Sequence, residues 1–379
     1  MSLLLMTVLR FLFLLLASFQ LHVFGSEKCN WKVREDSPEV YFVNMDSSAQ
    51  RKVDMERHLK EVGLRSHRVR GLTPKEIFIP PDIESTWRTA WCKLQTDWSP
   101  PDKLSQNFST TASPYKNYSA YMATLCGRGK NKNTPKELGC TTSHLVAMRK
   151  AIYSTTAKSR YALIVEDDVY FPFDVDFDAL VNSAPKNFGI LQLFNSNQGS
   201  MQSTWEKYLQ NRENLWIKRH PVKYFDFWST CAYLIDRITM KPIVDAVVTE
   251  VNGWVQLKVI AGISNPCVPR ECCAAGTGEF TGNDNLHFVV KPPCVWAPRG
   301  YQADHFLYAM APTYMLTVPI ISNGLGGNTS TFHQNHVEMF HKKSFQKMRG
   351  YINEMLTNKV SPPKFMRPAC TQALDVNVF

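Results

Sequence analysis

At 379 residues, 44% hydrophobic and 20% charged, the chain is long enough for one large domain or two modest ones, and its composition is globular, without low-complexity tracts or repeats. Lys and Arg exceed Asp and Glu by ten, a balance that suits an anionic ligand such as a nucleotide diphosphate, an acidic membrane surface, or simple solubility. The basic residues are dispersed, and no zinc-finger, homeodomain or RNA-recognition signature accompanies them, which argues against a nucleic-acid partner.

Residues 1–25 form a targeting segment. Arg10 precedes the apolar run Phe11 to Phe19, and Val23 and Gly25 occupy the −3 and −1 positions of a cleavage site. A signal anchor is the alternative to a cleaved signal peptide. It would have to bury Arg10, at roughly 2.5–3.5 kcal/mol, or span with residues 11–24 alone, short of the about 20 that a bilayer takes. The protein would meet a membrane only through a retained anchor. Either way the body of the chain enters the secretory pathway, to the ER or Golgi lumen. Ten cysteines agree with an oxidising compartment. Cys267, Cys272, Cys273 and Cys294 cluster in a Pro/Gly-rich stretch with no paired CxxC spacing, so disulfides fit better than zinc. Asn107, Asn117 and Asn328 begin glycosylation sequons.

After a linker (26–38), Val40 to Asn44 reads as a buried strand. Asp46, Ser47 and Ser48 then cap a helix over about Ala49 to Val62, with Met55, Leu59 and Val62 on one face and Gly63 as terminator. Ser66 to Leu72 reads as a second strand, and together these elements open a nucleotide-binding α/β sheet. Residues 73–135 are rich in Pro, Ser, Thr and Trp and form an insertion, whose Trp87, Trp91 and Trp98 either stack on a sugar or pack its own small core. Thr141 or Thr142 is expected to cap a helix carrying Leu145, Met148 and Ile152, leaving backbone N–H groups near Ser143 for an anion. Gly189 to Phe194 and Cys231 to Asp236 are strand-like, and a helix is expected around Ile243 to Val251. Residues 253–300 form a cysteine-rich insertion. Tyr314 to Ile321 reads as extended, 337–357 as an amphipathic helix bearing Met348, Ile352 and Met355, and 358–379 as a loose tail.

The run Tyr161-Ala-Leu-Ile-Val-Glu-Asp-Asp-Val169 carries the most information. A strand that ends in three carboxylates crowds like charges, and a divalent cation is the natural compensation. An exposed acidic turn is the alternative. Glu166 and Asp168, two apart on an extended chain, point to one side and are the best pair for a metal, directly or through water; Asp167 points away and can hold a basic side chain, but the break after the strand keeps all three as candidates. Asn44 and Asp46 at the tip of the first strand suit a base or ribose, or serve as turn and cap. His144 either touches the phosphates or sugar of a ligand or is a packed core histidine.

Several segments together resemble glycosyltransferase family 25, which includes lipooligosaccharide and procollagen galactosyltransferases. Val43-Asn-Met-Asp46 with Arg51 is similar to the family's opening INLD…R. Glu137 to His144 is similar to its GEIGCALSH box, Ala162 to Val169 to ALILEDDV, Ala232 to Asp236 to AYLIS, and Gln302 to His305 to a PVDH-type segment. Lys136 replaces the usual glycine, and both insertions exceed those of bacterial members. The resemblance implies an α/β fold of GT-A type: a Rossmann-like mixed sheet flanked by helices over 39–357, with two loop-rich insertions carrying disulfides and glycans. It implies an inverting transfer of galactose or glucose from a UDP-sugar to a glycan, protein or lipid acceptor, with manganese (Mn2+) or magnesium (Mg2+) on Glu166 and Asp168. Asn44, Asp46, Arg51, Ser143, His144 and Asp167 would line the donor site. Asp304 is the expected general base, alternatively a helix cap, with Asp226 and Asp284 in reserve. His305 is a further possible ligand. A competing expectation is a non-catalytic secretory glycan-binding protein on the same scaffold, which would need no acid triplet.

Overall fold

The structure, a computed structural model, describes residues 37–73, 77–78, 135–219, 227–251, 254–257, 260–262, 294–296, 303–324 and 342–368. The targeting segment, the sequons, Cys267, Cys272, Cys273, Trp87, Trp91, Trp98, Asp226 and Asp284 lie outside the described residues, as does the side chain of His305.

Seven strands build the central sheet: β1 (Glu39–Asn44), β2 (Ser66–Arg70), β3 (Tyr161–Glu166), β4 (Ile190–Gln192), β5 (Trp216–Lys218), β6 (Ala232–Asp236) and β7 (Thr313–Leu316). Their order is β2-β1-β3-β6-β4-β7-β5. β2, β1 and β3 run parallel, β6 runs antiparallel between β3 and β4, β7 is parallel to β4, and β5 closes the edge antiparallel. The main helices are α1 (Ala49–Glu61), α2 (Pro135–Ile152), α3 (Gln198–Gln210), α4 (Arg237–Val247), α5 (Ala303–Ala309) and α6 (Lys342–Leu356).

Both faces of the sheet are covered, which is why β1 and β3 are near-continuous apolar runs rather than alternating ones. The two-residue period of a strand deals alternate side chains to opposite layers. Tyr41, Ile164, Tyr233 and Ile235 face α2, α4 and α5, meeting Leu145, Met148, Val244 and Phe306. Val40, Phe42, Leu163 and Leu234 face α1, α3 and α6, meeting Met55, Leu59, Trp205, Met348, Ile352 and Met355.

Four local expectations change. α2 begins at Pro135, so Thr141, Thr142 and Ser143 lie inside the helix and are buried, with no free helix end among them. Pro is favoured at a first helical position because its missing N–H would have no partner there. The helix expected at 243–251 is α4, which starts earlier because Asp236 caps it, accepting from Ile238 N at 3.1 Å. Residues Val248–Val251 instead form a hairpin with Trp254–Leu257, and the latter also pairs with Ile77–Phe78. The described part of the tail is ordered: Met366–Pro368 pairs with Phe173–Val175, and Phe365 and Met366 are buried.

Gly189, at the entrance to β4, is pinned by its N–H to Pro312 O (2.8 Å) and its carbonyl to Asp236 N (3.0 Å). A Cβ there would stand 2.5 Å from Ala311 Cβ and 3.1 Å from Met240 Sδ. Gly189→Ala is therefore expected to destabilise the protein by about 1–3 kcal/mol in chemical denaturation, since neither backbone can retreat.

His58 on α1 is buried; its Nε2 accepts the Phe171 N–H at 2.9 Å and its ring stacks on Tyr170 at 4.6 Å. Burial pushes its pKa from 6.5 down to about 4. The folded state thus binds fewer protons than the unfolded one between those values. Stability is fully present above pH 6.5 and lost as pH falls towards 4, by about 3 kcal/mol from this residue. Denaturation curves across that window should show the loss, and His58→Gln, which keeps an acceptor but does not titrate, should flatten it.

Candidate functional site

β1 connects through α1 to β2 on one side, while β3 pairs with β1 on the other. The crevice outside the carboxyl ends of β1 and β3 is therefore a switch point in strand order, where open α/β sheets bind ligands. Parallel register sets Val43 beside Glu166, which brings Asn44 level with Asp167. On the other flank Asn44 is level with Arg70.

The acid turn follows β3 directly, and its three carboxylates separate. Asp167 points towards β1 and α1: Asn44 Nδ2 donates to its Oδ2 at 2.6 Å, and Arg51 Nη1 lies 3.1 Å from its Oδ1. Arg51 also reaches to 4.0 Å from Asp168 Oδ2, and it donates to Ser48 Oγ at 3.0 Å. Glu166 turns to the opposite side, where Thr230 Oγ1 donates to its Oε1 at 2.9 Å and His144 Nε2 lies 3.7 Å away. Asp168 rejoins Glu166 on that side. The Asp168 carbonyl accepts from Gly324 N at 3.0 Å, and Val169–Tyr170 pairs with Ser322–Asn323, so the turn is held from both sides.

Glu166, Asp168 and Cys231 each offer a ligand atom, all within 4.8 Å of one another. Asp168 Oδ1 is buried without a hydrogen-bond partner. Burial raises the Asp168 pKa to about 7, helped by the negative charges of Glu166 and Asp167 and opposed by Arg51. Burial also raises Asp167, against Arg51 and Asn44. For Glu166 burial is again the largest single influence, but His144, Thr230 and Arg51 together outweigh it and hold the carboxyl below its usual range. Burial and the two carboxylates push the Cys231 thiol well above the usual thiol range. Among the described residues, Arg51 is the one guanidinium paired with these carboxylates, at Asp167 and Asp168. An orphaned oxygen among oxygen and sulfur donors fits a divalent cation.

The other expected residues fall into two groups. Asn44 and Asp46 sit at the crevice, but the Asn44 amide is fully engaged: its Oδ1 accepts from Arg68 Nε at 2.8 Å, and its Nδ2 also donates to Ser48 O at 3.0 Å. Asp46 makes no helix cap; it is exposed and pairs with Arg68 and Arg70. Ser143 and His144 are interior. Ser143 Oγ donates to Gly139 O at 2.6 Å and accepts from Leu72 N at 2.8 Å, tying α2 to the end of β2. His144 packs against Tyr233, with Nδ1 3.1 Å from its hydroxyl, and reaches the site only through Glu166. The expected anion-binding N–H groups near Ser143 are part of the helix interior.

Asp304 lies in the first turn of α5, and its carboxylate reaches across the chain: Ser229 N is 3.4 Å from its Oδ2. Ser229 adjoins Thr230, the donor to Glu166, so one short segment connects Asp304 to the acid cluster. Beneath it Arg219 is buried, donating to Gln192 Oε1 and Asp304 O, each at 2.7 Å, and lying 4.6 Å over the Tyr308 ring. Burial lowers the Arg219 pKa to about 10, still protonated at neutral pH. Sequence reasoning missed Arg68, Arg219, Ser229, Thr230 and Cys231. The only signal was the placement of Ser229 and Thr230 immediately before a recognisable strand and of Cys231 at its start.

Cys231 is a free thiol. Among the described residues no helix is long and apolar enough to cross a membrane. No curated protein matches the chain. The family model of glycosyltransferase family 25 (LPS biosynthesis protein) matches residues 37–253, a span that holds β1, the acid turn, α2 and β6. The chain belongs to glycosyltransferase family 25 and is a glycosyltransferase, moving a sugar from a donor to an acceptor.

Proposed function

We propose that the protein is an inverting, metal-dependent glycosyltransferase that moves galactose or glucose from a UDP-sugar to an acceptor hydroxyl on a glycan, protein or lipid in the secretory pathway. The observation that carries this reading is the buried, unpartnered Asp168 Oδ1 beside Glu166 at the switch point of the sheet. The parallel trio β2-β1-β3 followed by antiparallel β6 supports a GT-A type sheet with its nucleotide half at β1 and β2.

Glu166 and Asp168 would hold manganese or magnesium. A divalent cation there supplies Lewis-acid stabilisation of the diphosphate leaving group. Arg51, 4.0 Å from Asp168 and held against Ser48 and Asp167, adds fixed positive charge at the same mouth. Arg68 and Arg70 at the tip of β2 face the exposed Asp46 and give the donor side a cationic rim. Asn44 works as an organiser, aligning Asp167 and Arg68 through its two amide atoms. Asp304 takes the proton of the acceptor hydroxyl as that oxygen bonds to the anomeric carbon and the bond to the nucleotide diphosphate breaks on the opposite face. Arg219 fixes the backbone on which Asp304 stands.

Incubation of the chain with a panel of UDP-sugars and manganese, scored by UDP release, tests the assignment. One donor should turn over, and chelator or Asp168→Ala should cut the rate at least about 100-fold. Failure to hydrolyse any UDP-sugar would remove the donor assignment. Asp304→Asn should lower kcat by about 100-fold or more with little change in donor KM. An unchanged kcat would dismiss Asp304 as the base.

A further inference from the structure

Cys231 stands where a packing residue would suffice, yet three features aim it at the acid cluster. The first is register. Val165 pairs with Ala232 across the antiparallel β3–β6 ladder, and Glu166 N donates to Cys231 O at 2.9 Å. Residues opposite one another project from the same face, so the thiol is held beside Glu166. Asp168, two residues on, returns to that face.

The second feature is backbone strain. Ser229 has φ 95°, a region that side-chain-bearing residues rarely adopt. Its surroundings over-determine it. Its N–H faces Asp304 Oδ2, and its carbonyl accepts from Tyr308 OH (2.9 Å) and Gln192 Nε2 (3.2 Å). Its hydroxyl oxygen accepts from Cys231 N at 3.1 Å. Such strain persists where it serves a geometry. Here that geometry turns the next two residues, Thr230 and Cys231, towards Glu166 and Asp168.

The third is the orphaned Asp168 Oδ1, a buried acceptor that no side chain satisfies. Glu166, Asp168 and Cys231 present ligand atoms within 4.8 Å of one another. In a tetrahedral site with bonds of about 2.0–2.3 Å, ligand atoms stand about 3.5 Å apart. Contraction by about 1 Å, within the rotamer freedom of these side chains, would close them on one ion.

We propose that Cys231 is a third protein ligand of the cation, making a site of two carboxylates and one thiolate that discriminates against magnesium in favour of thiophilic divalent ions such as cobalt and zinc. This rests on the cation assignment to Glu166 and Asp168 made above. The thiol gives its proton to solvent as the ion binds, and its sulfur donates an electron pair to the ion. Magnesium, a hard ion that prefers six oxygens, gains little from sulfur.

The test is titration of the full chain with Co2+, following the thiolate-to-cobalt charge-transfer absorption, with Mn2+ and Mg2+ affinities measured alongside. The wild-type chain should show the band, and Cys140→Ser should keep it. Cys231→Ser should lose it, together with about tenfold or more of cobalt affinity, while magnesium affinity stays within about twofold. In the wild-type chain, saturating Co2+ should protect Cys231 from alkylation as mapped by mass spectrometry, a readout that needs no variant to fold. If Cys231→Ser and Cys231→Ala keep the band, and alkylation of Cys231 is unaffected by cobalt, the thiol only packs. The carboxylate site would then still stand if Asp168→Asn abolishes Mn2+ binding. If the wild-type chain binds none of the three ions, the cation assignment itself falls and the thiolate ligand with it.

Discussion

Repulsion among Glu166, Asp167 and Asp168 is the constraint around which the rest of the molecule is arranged. Two like charges about 4 Å apart repel by about 4 kcal/mol at an effective dielectric of about 20, and burial adds a desolvation cost. The fold divides the problem. Asp167 is paid out to β1 and α1, where Asn44 and Arg51 meet it; Glu166 goes to β6 and α2, where Thr230 and His144 meet it. Asp168 is left with a distant Arg51 and one oxygen unsatisfied. The imbalance is concentrated on a single atom, Asp168 Oδ1, just beyond the end of β3.

Rigid supports surround that atom. α1 carries Arg51 at one end and His58 further along, so a single helix grips the chain on both sides of the acid turn, at Asp167 and at Phe171. The pairing of Val169–Tyr170 with Ser322–Asn323 ties the turn to the segment after β7. The two apolar layers beneath, one on each face of the sheet, hold β1 and β3 in the register that these contacts need. A shift of one residue would exchange the layers and separate Asn44 from Asp167.

The Arg219 network does the equivalent at the other wall. A buried guanidinium bonded to Gln192, the Phe227 carbonyl and the Asp304 carbonyl joins β4, the segment before β6, and α5. The segment 229–231 spans the two walls, touching Asp304 on one side and Glu166 on the other. The strained Ser229 and its neighbour Thr230 thus bridge two anchored carboxylates, Asp304 and Glu166.

What could be read directly was whatever depends on neighbours in the chain. The apolar runs of β1 and β3 announced buried parallel strands. The two-residue alternation separated Asp167 from Glu166 and Asp168, and the acid run after a strand led to the expectation of a ligand site. What only tertiary structure decided was the partner of each acid. Thr230 lies 64 positions from Glu166, and Asn44 lies 123 from Asp167. Arg68 and Arg219 looked like any other dispersed basic residues. Ser143 and His144 looked like a helix end because hydroxyls favour caps, yet the helix begins at Pro135 and buries them against β2 and β6. Local propensity cannot see such pairings, because strand register and helix packing, which set them, are properties of the whole sheet.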